Sequence, residues 1–117
     1  MTKKAFLKTF LELETAETQE ERAEGLQNRE ELSQYRGMLF NFPETEKQSI
    51  WMKNTHIPLD IVFLSEDGTV LNIEQGEPES TEHIHSNGEC SYAIELKQGK
   101  ADDFNISEGD NLSFLLN

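Results

Sequence analysis

The run Ile61-Val62-Phe63-Leu64-Ser65-Glu66-Asp67-Gly68-Thr69-Val70-Leu71-Asn72-Ile73 decides the fold class. Four apolar residues meet a polar stretch ending in Asp-Gly and then resume as a β-branched, half-apolar strand. Asp67-Gly68 supplies the positive φ angles that a tight turn requires, so the run predicts a β-hairpin. Working outward, short apolar runs alternate with Pro43, Pro58, Gly68, Gly76, Pro78, Gly88, Gly99 and Gly109. Such punctuation predicts further strands over 38–42, 50–53, 91–96 and 111–116. Near the start, residues 6–15 alternate roughly between apolar and polar, with Leu11, Leu13 and Thr15 on one side, and read as a first strand. Between them, Thr18-Gln19-Glu20-Glu21 has the capping-box pattern, a hydroxyl followed three places later by a carboxylate. It predicts one short helix over 19–28, with Ala23 and Leu26 inward, and a further helical turn around 29–32.

These elements point to a mostly β chain: a single-domain β sandwich or closed barrel with one short α-helix. At 117 residues the chain accommodates one core, so the domain spans 1–117. The expected core comprises Leu13, Leu26, Leu39, Phe40, Trp51, Ile61, Phe63, Val70, Ile73, Ile94, Leu96, Ile106, Leu112 and Phe114.

Charge narrows the function. Ten basic against 23 acidic residues leave a net charge of −13, which repels a phosphate backbone or an anionic lipid surface. The basic residues cluster only at Lys3, Lys4 and Lys8, a solvated end and not a groove. Nucleic acid and membrane are therefore excluded as expected partners. A small molecule or a protein remains, as does homo- or hetero-oligomerisation through a sheet edge. The first residues are interrupted by Lys8, Glu12 and Glu14 before a signal-peptide core could form, and no membrane-length apolar run follows. A cytoplasmic location is expected, or an envelope one if a leader has been removed. The single cysteine, Cys90, excludes an internal disulfide, and no cofactor is expected.

The segments Gly25-Leu26, Gly37-Met38-Leu39-Phe40, Trp51-Met52-Lys53-Asn54-Thr55, Ile57-Pro58-Leu59-Asp60-Ile61, Gly68-Thr69-Val70, Tyr92-Ala93-Ile94-Glu95-Leu96 and Ile106 with Gly109-Asp110 occur in this order. Together they resemble the family called domain of unknown function 192, over a core of about 12–116. The Trp-Met-Lys-Asn-Thr run followed by Pro-Leu-Asp is its most specific element. The resemblance implies a compact β-rich domain with one short helix, and no established activity, cofactor or catalytic residue. Gln27 and Lys97-Gln98-Gly99 depart from the family pattern, as does the lack of the secretory or lipoprotein signal that many relatives carry.

The block 51–60 gathers an aromatic, a cation, an amide, a hydroxyl and a carboxylate immediately before the apolar run. Were it extended, Lys53 and Thr55 would share a face. Asp60 folded back beside Lys53 would then complete a polar cluster with Trp51 as its apolar wall. Trp51, Lys53, Asn54, Thr55 and Asp60 are thus the expected ligand-binding or contact residues of a non-catalytic binding or interaction module. In the bland alternative, Asn54 and Asp60 brace turns while Trp51 and Met52 fill the core. Two further functional classes are a structural subunit of a larger assembly and a small acid/base hydrolase using Asp60 and Lys53, or the His83, His85 and Cys90 group. Carboxylates Asp60, Glu95 and Asp110 could pair as acid and base. No catalytic residue is assigned, because no nucleophile elbow or phosphate loop is present. His83, His85 and Cys90 are weak metal candidates: two histidines sharing a strand face, with a cysteine returning across Asn87-Gly88, match no strong zinc spacing.

Overall fold

In a computed structural model, which describes residues 1–116, the predicted hairpin is present as β4 (Leu59–Leu64) and β5 (Val70–Gly76). Only Gly68 takes the positive φ, at 89°. Asp67 instead accepts a hydrogen bond from the Thr69 amide at 3.1 Å, and the register shifts by one residue where Phe63 faces Asn72 and Leu64 faces Val70. Beside β4 runs β7 (Cys90–Lys97), followed by β2 (Arg36–Glu46) and β1 (Glu12–Ala16). The sheet order is β1-β2-β7-β4-β5, antiparallel except for β1 with β2. The parallel pair needs a crossover, and α2 (Gln19–Glu24) lies within it. A small ribbon joins β3 (Ser49–Ile50) to β6 (Ile84–His85).

The sheet is open, which corrects the expected closed barrel; the second sheet is only the two-stranded ribbon, so a sandwich is not established. Its end strands, β1 and β5, do not pair with each other, as closure would require. Instead the sheet buries both faces. Val62, Leu64, Ile94 and Leu96 pack beneath Leu7 and Leu11 at the N-terminus and Ala101, Phe104, Ile106 and Leu112 at the C-terminus. Ile61, Phe63, Ala93 and Phe40 pack on the other side beneath Leu26, Leu32, Met52 and Ile57. All six residues of β4 are buried, the near-continuous apolar reading of a strand covered on both sides.

Several expected elements differ. Residues 6–15 divide into a helix, α1 (Lys3–Phe10), and β1. Thr2 caps the helix by accepting from the Ala5 amide at 3.1 Å, and Leu7 and Leu11 fall four apart on its buried side. The capping box at Thr18 and Glu21 is present, but α2 stops at Glu24, where Gly25 turns at φ 49°. A Cβ at Gly25 would lie 3.2 Å from the Phe40 ring, so its absence lets the helix end approach the sheet. Ala23 is exposed, and Leu26 alone of the expected pair is buried. No helical turn forms over 29–32; Arg29 instead makes a forked ion pair with Glu14.

A short helix, α3 (Lys100–Asp103), follows β7. Over 111–116 there is one isolated bridge, Asn111 with Thr69, and a 3-10 turn, Ser113–Leu115. Asn111 Oδ1 accepts from both the Ser113 amide and hydroxyl, diverting the backbone from a strand. Of the expected core, Leu13, Ile73 and Phe114 are half-buried and Trp51 is exposed.

Asp60 fastens the C-terminal cover to the sheet. Its Oδ2 accepts from the amides of Gly99 (3.1 Å) and Ala101 (2.8 Å), supplying the cap that glycine cannot, and Oδ1 accepts from Gln75 Nε2 at 2.8 Å. Replacing Asp60 by Ala strands the buried amide of Ala101 and frees the part-buried amide of Gly99, and is expected to cost roughly 2 kcal/mol or more in urea denaturation. A change below about 1 kcal/mol would show that the carboxylate does not hold this junction.

Candidate functional site

A cleft of about 530 Å³ lies between α2, the far half of β2 and the β3–β6 ribbon. It exists because β2 leaves its partner. Asn41 faces Tyr92 but Glu46 faces Cys90, so the residues between bulge away from β7. Pro43, which has no amide to donate, stands within this stretch. Phe40, Phe42, Pro43 and Glu44 then line one wall, and Arg22, Ala23 and Gly25 of the α2 end line another. The third wall is Trp51, Ile50, Ser49 and His83.

The loop carrying Trp51 is held from several directions. Met52 is fully buried, and a Cβ on Gly76 would come within 2.6 Å of its sulfur, so glycine there makes room for the plug. Met52 N donates to Ser80 O (3.0 Å), Thr55 N to Met52 O (3.0 Å) and Glu79 N to Thr55 O (2.9 Å). Asn28 N donates to Asn54 O at 2.8 Å, and Asn54 adopts φ 55°, a left-handed turn conformation that asparagine tolerates.

The predicted cluster is therefore divided. Strand character ends at Ile50, so Lys53 and Thr55 do not project from a common strand face. Trp51, 41% exposed, and Thr55, buried, line the cleft. Lys53 and Asn54 line a neighbouring hollow, with Lys53 Nζ 5.2 Å from the centre of the Trp51 ring. Asp60 points to the opposite face of the sheet, where its bonds to α3 and Gln75 occupy it, and no ion pair joins it to Lys53 among the described residues. That removes the geometry of the acid/base pair drawn on those two residues. Asp110 is engaged by Lys3 at 2.8 Å and the Ser107 amide at 2.9 Å, both of which hold its carboxyl below the usual carboxylate range.

His83 and His85 lie side by side with ring centroids 6.2 Å apart, and His83 also packs on Trp51 at 5.6 Å. Cys90 is fully buried away from solvent, where desolvation pushes its thiol up to about 11. Among the described residues no three His, Cys, Asp or Glu side chains are grouped as metal ligands.

The residue that sequence reasoning underweighted is Glu95. It sits in mid-β7, opposite Met38 of β2 and Ile61 of β4, both apolar, and only 3% of it is exposed. Among the described residues, neither a hydrogen bond nor a charge compensates its carboxyl; burial alone pushes it up to about 8. Its side chain forms part of the cleft lining, and no fully enclosed side-chain polar atom among the described residues lacks a partner, so the carboxyl opens into the cleft. The signal was a charge within Tyr92-Ala93-Ile94-Glu95-Leu96, on a strand whose neighbours are apolar. Once the strand is central, that charge must be buried.

Comparison with known proteins yields a family without a function. The family model DUF192, "Uncharacterized ACR", matches residues 2–114. A structure from Sinorhizobium meliloti 1021, described as a "putative transcription regulator", is similar at 38% identity and a TM-score of 0.83, covering 86% of this chain and 79% of that one. A protein of unknown function from Novosphingobium aromaticivorans DSM 12444 is similar at 34% identity and a TM-score of 0.83, covering 86% and 73%. No curated protein matches.

Because the folded Glu95 carboxyl ionises near 8 and an unfolded one near 4.5, the folded state binds the extra proton between these values. Its contribution to stability is full below about 4.5 and lost as pH rises through 8, at up to about 1.4 kcal/mol per pH unit. Urea denaturation of Glu95→Gln is therefore expected to show a gain over the parent that grows from about pH 5 to about pH 9. A difference independent of pH would place an ordinary, ionised carboxylate at this position.

Proposed function

The chain belongs to the DUF192 family of uncharacterised proteins, and from the geometry of its cleft we propose that it is a binding module for a small molecule, with Glu95 at the floor of the site. One observation carries the reading: a carboxyl group lies almost wholly buried with no partner among the described residues and faces an open cavity. Burial of a polar group without compensation costs on the order of 1–3 kcal/mol, and nearly all such groups in folded proteins are satisfied. A partner arriving through the cleft satisfies this one. The volume of about 530 Å³ falls within the range of small-molecule sites.

Of the residues expected from sequence, Trp51 and Thr55 belong to this proposed site, and Lys53 steadies Trp51 by lying over its ring. Asn54 shapes the turn behind them. Asp60 acts as scaffold. The transcription-regulator description of the S. meliloti protein is not carried over, since a net charge of −13 opposes direct contact with DNA.

Trp51 is the single tryptophan and stands on the cleft wall, so its indole reports occupancy without labelling. A fragment screen read by Trp51 fluorescence and by amide NMR is expected to give hits whose shifts converge on Trp51, Thr55 and Gly25. Hits scattered over the surface, or none across a chemically diverse library, would remove the binding reading.

A further inference from the structure

We propose that the ligand of this cleft is a small organic cation, a protonated amine or guanidinium on an apolar body, whose N–H donors bind the Glu95 carboxylate. The inference rests on the binding reading above and adds the chemical class. An ionised carboxylate only accepts hydrogen bonds, and none of its lone pairs is used by the described residues. The group that complements it is therefore a donor, and a charged donor makes the stronger bond.

The rest of the lining agrees. Its charged residues are Arg22 and Glu24 from α2, Glu44 and Glu46 from β2, and Glu95 from β7. Four carboxylates face one guanidinium, and that guanidinium already donates to the carbonyls of Glu17 and Asn41. An anionic ligand held by Arg22 and a protonated Glu95 would have to displace those bonds and enter against the remaining carboxylates. The field of a chain with net charge −13 draws cations toward a cleft lined this way. Phe40, Phe42 and Trp51 add aromatic surface that accommodates both an apolar body and positive charge.

Proton balance gives the proposal a signature. In the empty cleft the Glu95 carboxyl, raised to about 8, is mostly protonated at neutral pH. Binding of an ammonium ion as an ion pair releases one proton to solvent. Affinity for the cation should therefore rise roughly tenfold per pH unit toward 8 and level off above it. His83 also lines the cleft; it is retained in Glu95→Gln, so the variant isolates the carboxyl's share.

The test uses the full chain and matched probes: the amine, alcohol and carboxylate of benzyl, phenethyl and naphthylmethyl bodies, titrated by amide NMR and calorimetry from about pH 6 to about pH 9. Expected is a preference for each amine over its alcohol of roughly tenfold or more above pH 8, the gain of a charge-assisted bond. One proton should be released per amine bound near pH 7, and both effects should vanish in Glu95→Gln. Alcohols or carboxylates that shift Trp51 and Thr55 as well as the amines do would overturn the cation assignment and leave the binding reading standing. Amines that bind equally well to Glu95→Gln would also overturn it. Silence from every probe overturns the cation assignment, and with a silent fragment screen the binding reading falls too. Should Glu95→Gln fail to fold, proton release and the pH profile of the parent chain decide the question.

Discussion

Strand β7 is the constraint on which the structure depends. It is paired along both edges, to β2 and β4, and covered on both faces, so each of its side chains must be accommodated by a neighbour. Ile94 and Leu96 supply one core and Ala93 the other. Covering both faces of an open sheet takes more than the sheet itself, and the chain spends its two ends on one face and its connecting segments on the other. The buried carboxylate of Asp60 is the polar fastener of the first arrangement, and the fully buried Met52 is the apolar plug of the second.

The cleft follows from an incompatibility in that second cover. Strand β2 stays with β7 only as far as Asn41 and rejoins it at Glu46, and the chain cannot both bulge outward and shield the sheet beneath. Helix α2 and the Trp51 loop cover part of the gap, and Glu95 lies at the bottom of what remains. The same geometry that withholds a partner from the carboxyl therefore leaves open a route to it. Packing, electrostatics and the proposed recognition are consequences of one irregular strand pairing.

Much of this was legible residue by residue. The Asp67-Gly68 turn, the capping box at Thr18 and the apolar runs of β2, β4 and β7 are local signals, and the structure contains all of them. The first segment was misread because residues 11–15 do alternate, while Leu7 and Leu11 also satisfy a helical spacing. The last was misread because Leu112, Phe114 and Leu116 alternate too, whereas the Asn111 side chain bonds the backbone and turns it away. Trp51 was expected in the core; its ring lies instead against Lys53 and His83 at the surface.

The amino-acid sequence by itself determined the strand-rich character, the central hairpin, the short capped helix and the family, because each depends on residues close in the chain or on ordered motifs. Only the tertiary structure decided that the sheet is open, that Asp60 and Lys53 are separated, and that Glu95 shares a cleft with Trp51 and Thr55. The reason is that side chains alternate across a strand: Asp60 and Glu95 lie on neighbouring strands one register position apart, yet point to opposite faces. One becomes a scaffold bond and the other a candidate binding group, a distinction that arises only when strands pair and their faces are covered.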